Sequence, residues 1–159
     1  QFEAGFYTST DNLRALESRE NSELQALRGI SSENWVIDWN TLQAFGANVV
    51  HTDTWGDMVT QVFDGASDYL LAPFQATADL SLELAEGRMV PIPDVKIALV
   101  GTRHFAISRS HPLGWEFNTA LHRGLMKMKK EGILVKAYAD SGFLNAAVAQ
   151  WRQVNGSDR

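Results

Sequence analysis

Val62-Phe63-Asp64-Gly65-Ala66-Ser67-Asp68-Tyr69-Leu70-Leu71-Ala72-Pro73-Phe74 reads as the end of a helix, a tight turn, a buried strand and a loop leaving the strand's carboxyl end. Gly65 stands where a helix terminus favours a residue tolerant of the left-handed conformation. Tyr69 to Ala72 is apolar without polar alternation, the pattern of a strand covered on both faces. Pro73 has no N–H to offer a ladder, so strand pairing should stop there. Ligands of open α/β sheets bind beyond the carboxyl ends of strands. Pro73, Phe74 and Gln75 are therefore the first candidates for ligand contact.

Upstream, strand and helix alternate. Ala4 to Thr8 is a short strand candidate. Thr10 or Asp11 can cap a helix carrying Leu13 and Leu16. Ser22 opens a second short helix with Leu24 and Leu27, and Gly29 is expected to end it. Ile30 to Asn34 follows as a weak strand. Asp38 is a good N-cap for a helix from Trp39 to Phe45, with Gly46 as its stop. Asn48 to His51 reads as another strand. Thr54 caps the next helix, with Asp57 in the position of a capping-box partner, and Met58, Val59, Val62 and Phe63 share one face of it.

Downstream, Thr77 to Ala85 predicts a helix with Leu80 and Leu84 four apart, and Met89 to Pro93 an edge-like strand limited by its prolines. Lys96 to Val100 and His104 to Ser108 predict two more strands. Beyond Pro112 lies the clearest helix, striped by Phe117, Leu121, Leu125 and Met128 and stopped by Gly132. Ile133 to Ala139 and Ala146 to Val154 predict two further helices. The alternation from Ile30 to Ile92 indicates βαβ units and a mostly parallel sheet.

Bulk properties exclude several classes. The 159 residues suffice for one domain with a true core. A net charge of −5 argues against a nucleic-acid surface; Lys127, Lys129 and Lys130 read most simply as a solvated helix face. The absence of cysteine excludes disulfides, thiolate catalysis and cysteine metal sites. His51, His104, His111 and His122 show no metal-ligand spacing. Ser108, Ser110 and His111 lack a Gly-x-Ser-x-Gly elbow, and there is no Gly-rich phosphate loop. No cofactor is expected. No apolar run approaches the roughly 20 residues that span a membrane.

Taken in order, several stretches resemble the two-lobed, type II periplasmic (extracellular) solute-binding proteins. Leu27-Arg28-Gly29 looks like that family's turn before the first strand of its second lobe. Val62 to Tyr69 is similar to its helix, Gly-x-x-Asp-Ala turn and strand. Phe105-Ala106-Ile107-Ser108-Arg109-Ser110-His111-Pro112 is similar to the strand that crosses back between lobes. Phe117 to Leu121, Glu131 to Leu134 and Tyr138 look like its closing helices. The resemblance implies a three-layer αβα lobe with a mostly parallel sheet and one antiparallel crossing strand. It implies binding of a small polar solute by closure of two lobes, without covalent chemistry, with a membrane permease of an ABC-type uptake system as partner, in the periplasm or outside the cell. A receptor sensor domain of the same fold and a self-associating fragment without ligand are the alternatives.

On this reading residues 1–28 form a hinge strand and lead-in helices, 29–108 the solute-binding lobe, and 109–159 helices that would pack on a missing first lobe or on a second copy of the chain, as a homodimer or a swapped assembly. The hinge is expected at Phe6, Tyr7, Phe105 and Ala106. Amino-acid-binding members carry an acidic residue where this chain has Pro73, which removes the carboxylate partner of an α-amino group.

The candidate contacts are then Asn34, Trp35, Thr54, Pro73, Phe74, Gln75 and Arg103. Helix N-termini near Trp35 and Thr54 present backbone N–H groups suited to an anion; capping by Asp38 and Thr54 is the competing use. Trp35, Trp39, Trp55 and Phe74 follow predicted strands and suit a planar, sugar-like or cationic ligand; packing is the competing use. Arg103 offers a fork for a carboxylate or phosphate, against the plainer role of a solvated turn.

Overall fold

The computed structural model describes residues 2–16, 20–101 and 104–156. In chain order the elements are β1 (Glu3–Ser9), α1 (Leu13–Leu16), α2 (Asn21–Ala26), β2 (Arg28–Ser31), α3 (Val36–Phe45), β3 (Asn48–His51), α4 (Trp55–Phe63) and β4 (Tyr69–Ala72). Then come β5 (Leu82–Glu83), β6 (Arg88–Pro91), β7 (Val95–Ala98), α5 (Gly114–Lys130), α6 (Ile133–Asp140), a 3₁₀ turn (Ala146–Val148) and β8 (Arg152–Gln153).

The sheet follows the path β3-β2-β4-β1-β6-β5. Its βαβ half is parallel: β2 pairs β3 from Arg28↔Asn48 to Ser31↔His51, and β4 through Gly29↔Tyr69 and Ile30↔Leu70. β1 crosses antiparallel to β4 on one side and to β6 on the other. Period-2 alternation sorts its side chains. Phe6, Tyr69 and Leu71 join Leu16, Leu24, Leu42 and Phe45 beneath α1, α2 and α3. Tyr7, Leu70 and Ala72 join Met58, Val59 and Val62 beneath α4. The layers are helix, sheet, helix, and all four residues of β4 are buried.

The turn between α4 and β4 fastens the parallel half. Gly65 is left-handed at φ 71°. Asp68 accepts from the Arg28 backbone N–H at 2.7 Å and from its guanidinium at 3.0 and 3.2 Å, while Arg28 Nη2 donates to the Gly65 carbonyl at 2.8 Å. The Asp68 N–H returns a bond to the Arg28 carbonyl at 2.8 Å. Thus β2 and β4 are clasped at their amino ends, leaving the carboxyl ends open.

Several expectations are corrected. Gly29 does not end a helix: it lies inside β2, where a Cβ would fall 2.8 Å from the Tyr69 hydroxyl. The α3 helix starts three residues before Trp39, with Trp35 as its N-cap. Ser32 makes the turn instead, accepting from the Trp35 N–H at its carbonyl and the Asn34 N–H at its hydroxyl. Asp38 then occupies the first helical turn, where a carboxylate complements the dipole. The predicted helix over Thr77–Ala85 is absent. Leu80 is left-handed (φ 62°), its carbonyl accepts from the Tyr7 hydroxyl at 2.7 Å, and Asp79 pairs with Arg88. Tertiary contacts override helical spacing there.

β6 is an interior strand, not an edge, because β5 covers its outer side. Residues 104–108 form no strand. Both sides of β1 are occupied, and β8 pairs parallel to the β7 edge, so no slot beside them is open. The expected helix from Ala146 to Val154 is a 3₁₀ turn followed by β8. The Asn155 side chain bonds both the N–H and the carbonyl of Ala98, extending the ladder.

Two buried phenols carry a pH signature. Burial raises the pKa of Tyr7, partly offset by a hydrogen bond from the Gln75 backbone; burial and the nearby Asp68 charge raise that of Tyr69. Unfolded phenols ionise near pH 10 whereas the folded ones keep their protons, so stability is complete below about pH 10 and falls as pH rises beyond it. Tyr69 Oη also has no hydrogen-bond partner. Tyr69→Phe is therefore expected to leave the unfolding free energy at pH 7 unchanged or higher, and to make its decline above about pH 10 shallower, in denaturant titrations. Asp68→Ala, which removes the clasp on Arg28, is expected to lower the unfolding free energy in the same measurement.

Candidate functional site

In the path β3-β2-β4 the chain leaves β2 outward to β3 and returns to β4 on β2's other side. The carboxyl ends of β2 and β4 thus flank a topological switch point, where open α/β sheets have their ligand crevice. A cleft of about 670 Å³ lies there, within the roughly 300–1,000 Å³ usual for small-ligand sites. One wall comes from the turn after β2 and the start of α3: Asn34, Trp35, Val36, Ile37 and Asp38. The opposite wall is the exit of β4, with Leu71, Ala72, Pro73 and Gln75, and Trp55 and Leu82 complete the lining.

The register of the parallel strands sets the aromatic part. Ser31 pairs with His51, so Trp35 and Trp55, each four residues further along its own chain segment, occupy equivalent positions. Their rings stack at 6.0 Å between centroids with 21° between planes. Trp35 remains 37% exposed. The α3 amino terminus carries no side-chain cap, whereas Thr54 caps α4, accepting from the Asp57 N–H at 3.1 Å and donating to its carboxylate at 2.7 Å.

The loop after β4 is held from behind by the C-terminal segment. Asn145 Nδ2 donates to the Gln75 carbonyl at 3.0 Å, and Gln75 Nε2 donates to the Pro73 carbonyl at 2.7 Å. Phe74 is 1% exposed and packs edge-on against Trp151 at 5.4 Å, beside Leu80 and Val148. A Cβ on Gly142 would come within 2.4 Å of the Phe74 carbonyl oxygen.

Of the sequence candidates, Asn34, Trp35, Pro73 and Gln75 converge on the cleft. Phe74 faces away from it, into the cluster behind the loop, because Pro73 ends the pairing and the next side chain turns to the opposite side. Thr54 is spent as a helix cap and does not line the cleft. Trp39 sets its ring edge-on to His51 at 5.9 Å. Arg103 lies outside the described residues. Phe6 and Tyr7 are buried mid-sheet, and Phe105 is 70% exposed beside exposed Ala106, so the four proposed hinge residues do not form neighbouring strands. Val36, Ile37, Leu71, Ala72 and Leu82 were not anticipated; Leu82 was hidden by the helical reading of its segment. Among the described residues no group of His, Asp or Glu is arranged to hold a metal ion.

No protein-family model matches the sequence, and no curated protein matches it. Among solved structures, the chain is similar to YckB of Bacillus subtilis, with a TM-score of 0.51 at 16% identity over 99% of this chain and 61% of that one. A weaker likeness is to the L-cystine solute receptor of Neisseria gonorrhoeae in its unliganded open conformation, with a TM-score of 0.38 and 14% identity over 89% of this chain and 58% of that one. The mixed α/β fold with its central sheet, parallel in the β3-β2-β4 half, is thus shared with YckB. The chain spans about three fifths of YckB's length. Among the described residues, no helix is long and apolar enough to cross a membrane.

Thr54→Ala removes an N-cap without touching the cleft wall. It is expected to lower stability by about 1 kcal/mol, within the roughly 0.5–2 kcal/mol range of such caps, in chemical denaturation, while leaving any ligand affinity at the cleft unchanged.

Proposed function

We propose that this chain is a ligand-binding lobe of a type II, two-lobed solute-binding protein. It takes a small solute at the β2–β4 cleft and serves an ABC-type permease from the periplasm or the cell exterior. The observation that carries the reading is the placement of the cleft, at the switch point and lined by residues from both flanking strand ends. Its open side is where a second lobe would close. Closure would draw its driving force from the higher affinity of the shut state for the solute. Binding and release complete the cycle, with no bond made or broken.

A second feature supports the missing jaw. The α5–α6 hairpin hardly enters the core: Gly114 is the buried residue of α5, and α6 has none. It touches the lobe where Phe2 meets Tyr138 and Phe143 edge-on at 5.2 and 5.6 Å. Trp115 is 79% exposed and shares a groove with exposed Phe105, while exposed Leu113 and Phe117 line another. Exposed large apolar side chains in such number mark a covered face. A second lobe, or a second copy of the chain in a dimer or swapped assembly, would cover it. Residues 104–108, unpaired in this lobe, would belong to the connection, with Phe105 and Ala106 in it.

The test is a thermal-shift screen of the full-length protein against amino acids, sugars, carboxylates and polyamines. A true ligand at 100 times its Kd is expected to stabilise by about 2.7 kcal/mol. The shift should fall when Trp35 is changed to Ala and persist in Thr54→Ala. A shift unmoved by changes at Trp35, Asn34 and Gln75 would place the site elsewhere.

A further inference from the structure

We infer that the solute carries a flat aromatic or heteroaromatic ring, held against the paired indoles of Trp35 and Trp55. This rests on the binding reading above and narrows it. Two tryptophans brought into an offset stack by strand register offer an indole face of the pair to the cleft that both line. The wall across from it is Pro73 with the apolar ends of β4. A flat ring entering between them would meet indole on one side and aliphatic C–H groups on the other, an arrangement that rewards planarity as well as apolar area.

The polar complement points the same way. Among the described lining residues Asn34, Asp38 and Gln75 bring polar side chains and the two indoles one N–H each, and Gln75 already donates one of its amide N–H groups to the Pro73 carbonyl. A polyhydroxylated sugar, which exposes donors and acceptors around its whole rim, would leave several of them unpaired against this lobe. Pro73 supplies no carboxylate for an ammonium group at the β4 exit. What this half of the clamp recognises is therefore the ring, with a polar substituent directed toward Asn34 and the start of α3.

The experiment uses the full-length protein and follows tryptophan fluorescence and thermal shift on titration with benzoate, 4-hydroxybenzoate and indole-3-carboxylate. Cyclohexanecarboxylate, serine and glucose serve as non-aromatic counterparts. At least one aromatic carboxylate is expected to bind on the order of 10-fold more tightly than its saturated counterpart. Trp35→Ala should abolish that preference, and Trp35→Phe should retain part of it, with far-ultraviolet circular dichroism confirming that both variants fold. Equal or tighter binding of the non-aromatic solutes overturns the ring assignment and leaves the binding reading standing. Absence of binding across every class in the broader screen overturns both.

Discussion

The close approach of the Tyr69 ring to the backbone at Gly29 is the constraint on which the rest depends. Gly29 leaves room for the Tyr69 ring to lie flat over β2, where a Cβ would meet the hydroxyl at 2.8 Å. That contact lets β2 and β4 pair in parallel while the Asp68 carboxylate secures their amino ends to Arg28. With the strands joined side by side and tied at one end, the chain segments leaving the other end must diverge, one into α3 and one into the Pro73 loop. The cleft is the space between those divergent exits. The unpartnered hydroxyl of Tyr69 is a local cost of the same packing.

The long strand β1 gives this arrangement its rigidity. It lies between β4 and β6, contributes Phe6 to one core cluster and Tyr7 to the other, and ties down the loop that precedes β5 through the bond from the Tyr7 hydroxyl to the Leu80 carbonyl. On its far flank β7 receives β8, so the C-terminal segment returns to the sheet. Lys96, buried on β7, pairs with Glu3 at 3.0 Å and donates to the Val148 carbonyl at 3.0 Å. Through Asn145, Val148 and Trp151 that returning segment backs the Pro73–Gln75 loop. The wall of the cleft is thus set by residues more than 60 positions away in the chain.

Legibility followed sequence distance. The elements whose reasons are local were read correctly: β3, α4 with its Thr54 cap, the Gly46 and Gly65 turns, and the doubly covered strand β4. The start of α3 was misplaced for a local reason, the Ser32 turn, and most other errors arose where a distant partner decided the outcome. Residues 77–85 carry helical spacing but give it up because Leu80 is wanted in the core and Asp79 by Arg88. Phe105 to Ser108 has strand composition but pairs with no strand of the sheet, since β1 and β7 already have partners on both sides. Within the site, Trp35, Pro73 and Gln75 were legible because strand tips can be located by pattern. The inward turn of Phe74 was not, since it depends on Trp151.

By itself the sequence determined the alternation of strand and helix, the parallel half-sheet, and the position of the strand ends, because hydrophobic period, caps and glycine stops act within a few residues. Only the tertiary structure decided which side chains face one another across those ends. The stacking of Trp35 on Trp55 and the diversion of Phe74 both depend on strand register and on a C-terminal segment folding back. Such long-range pairings depend on burial and shape summed over many residues, and no short window of the chain encodes that sum.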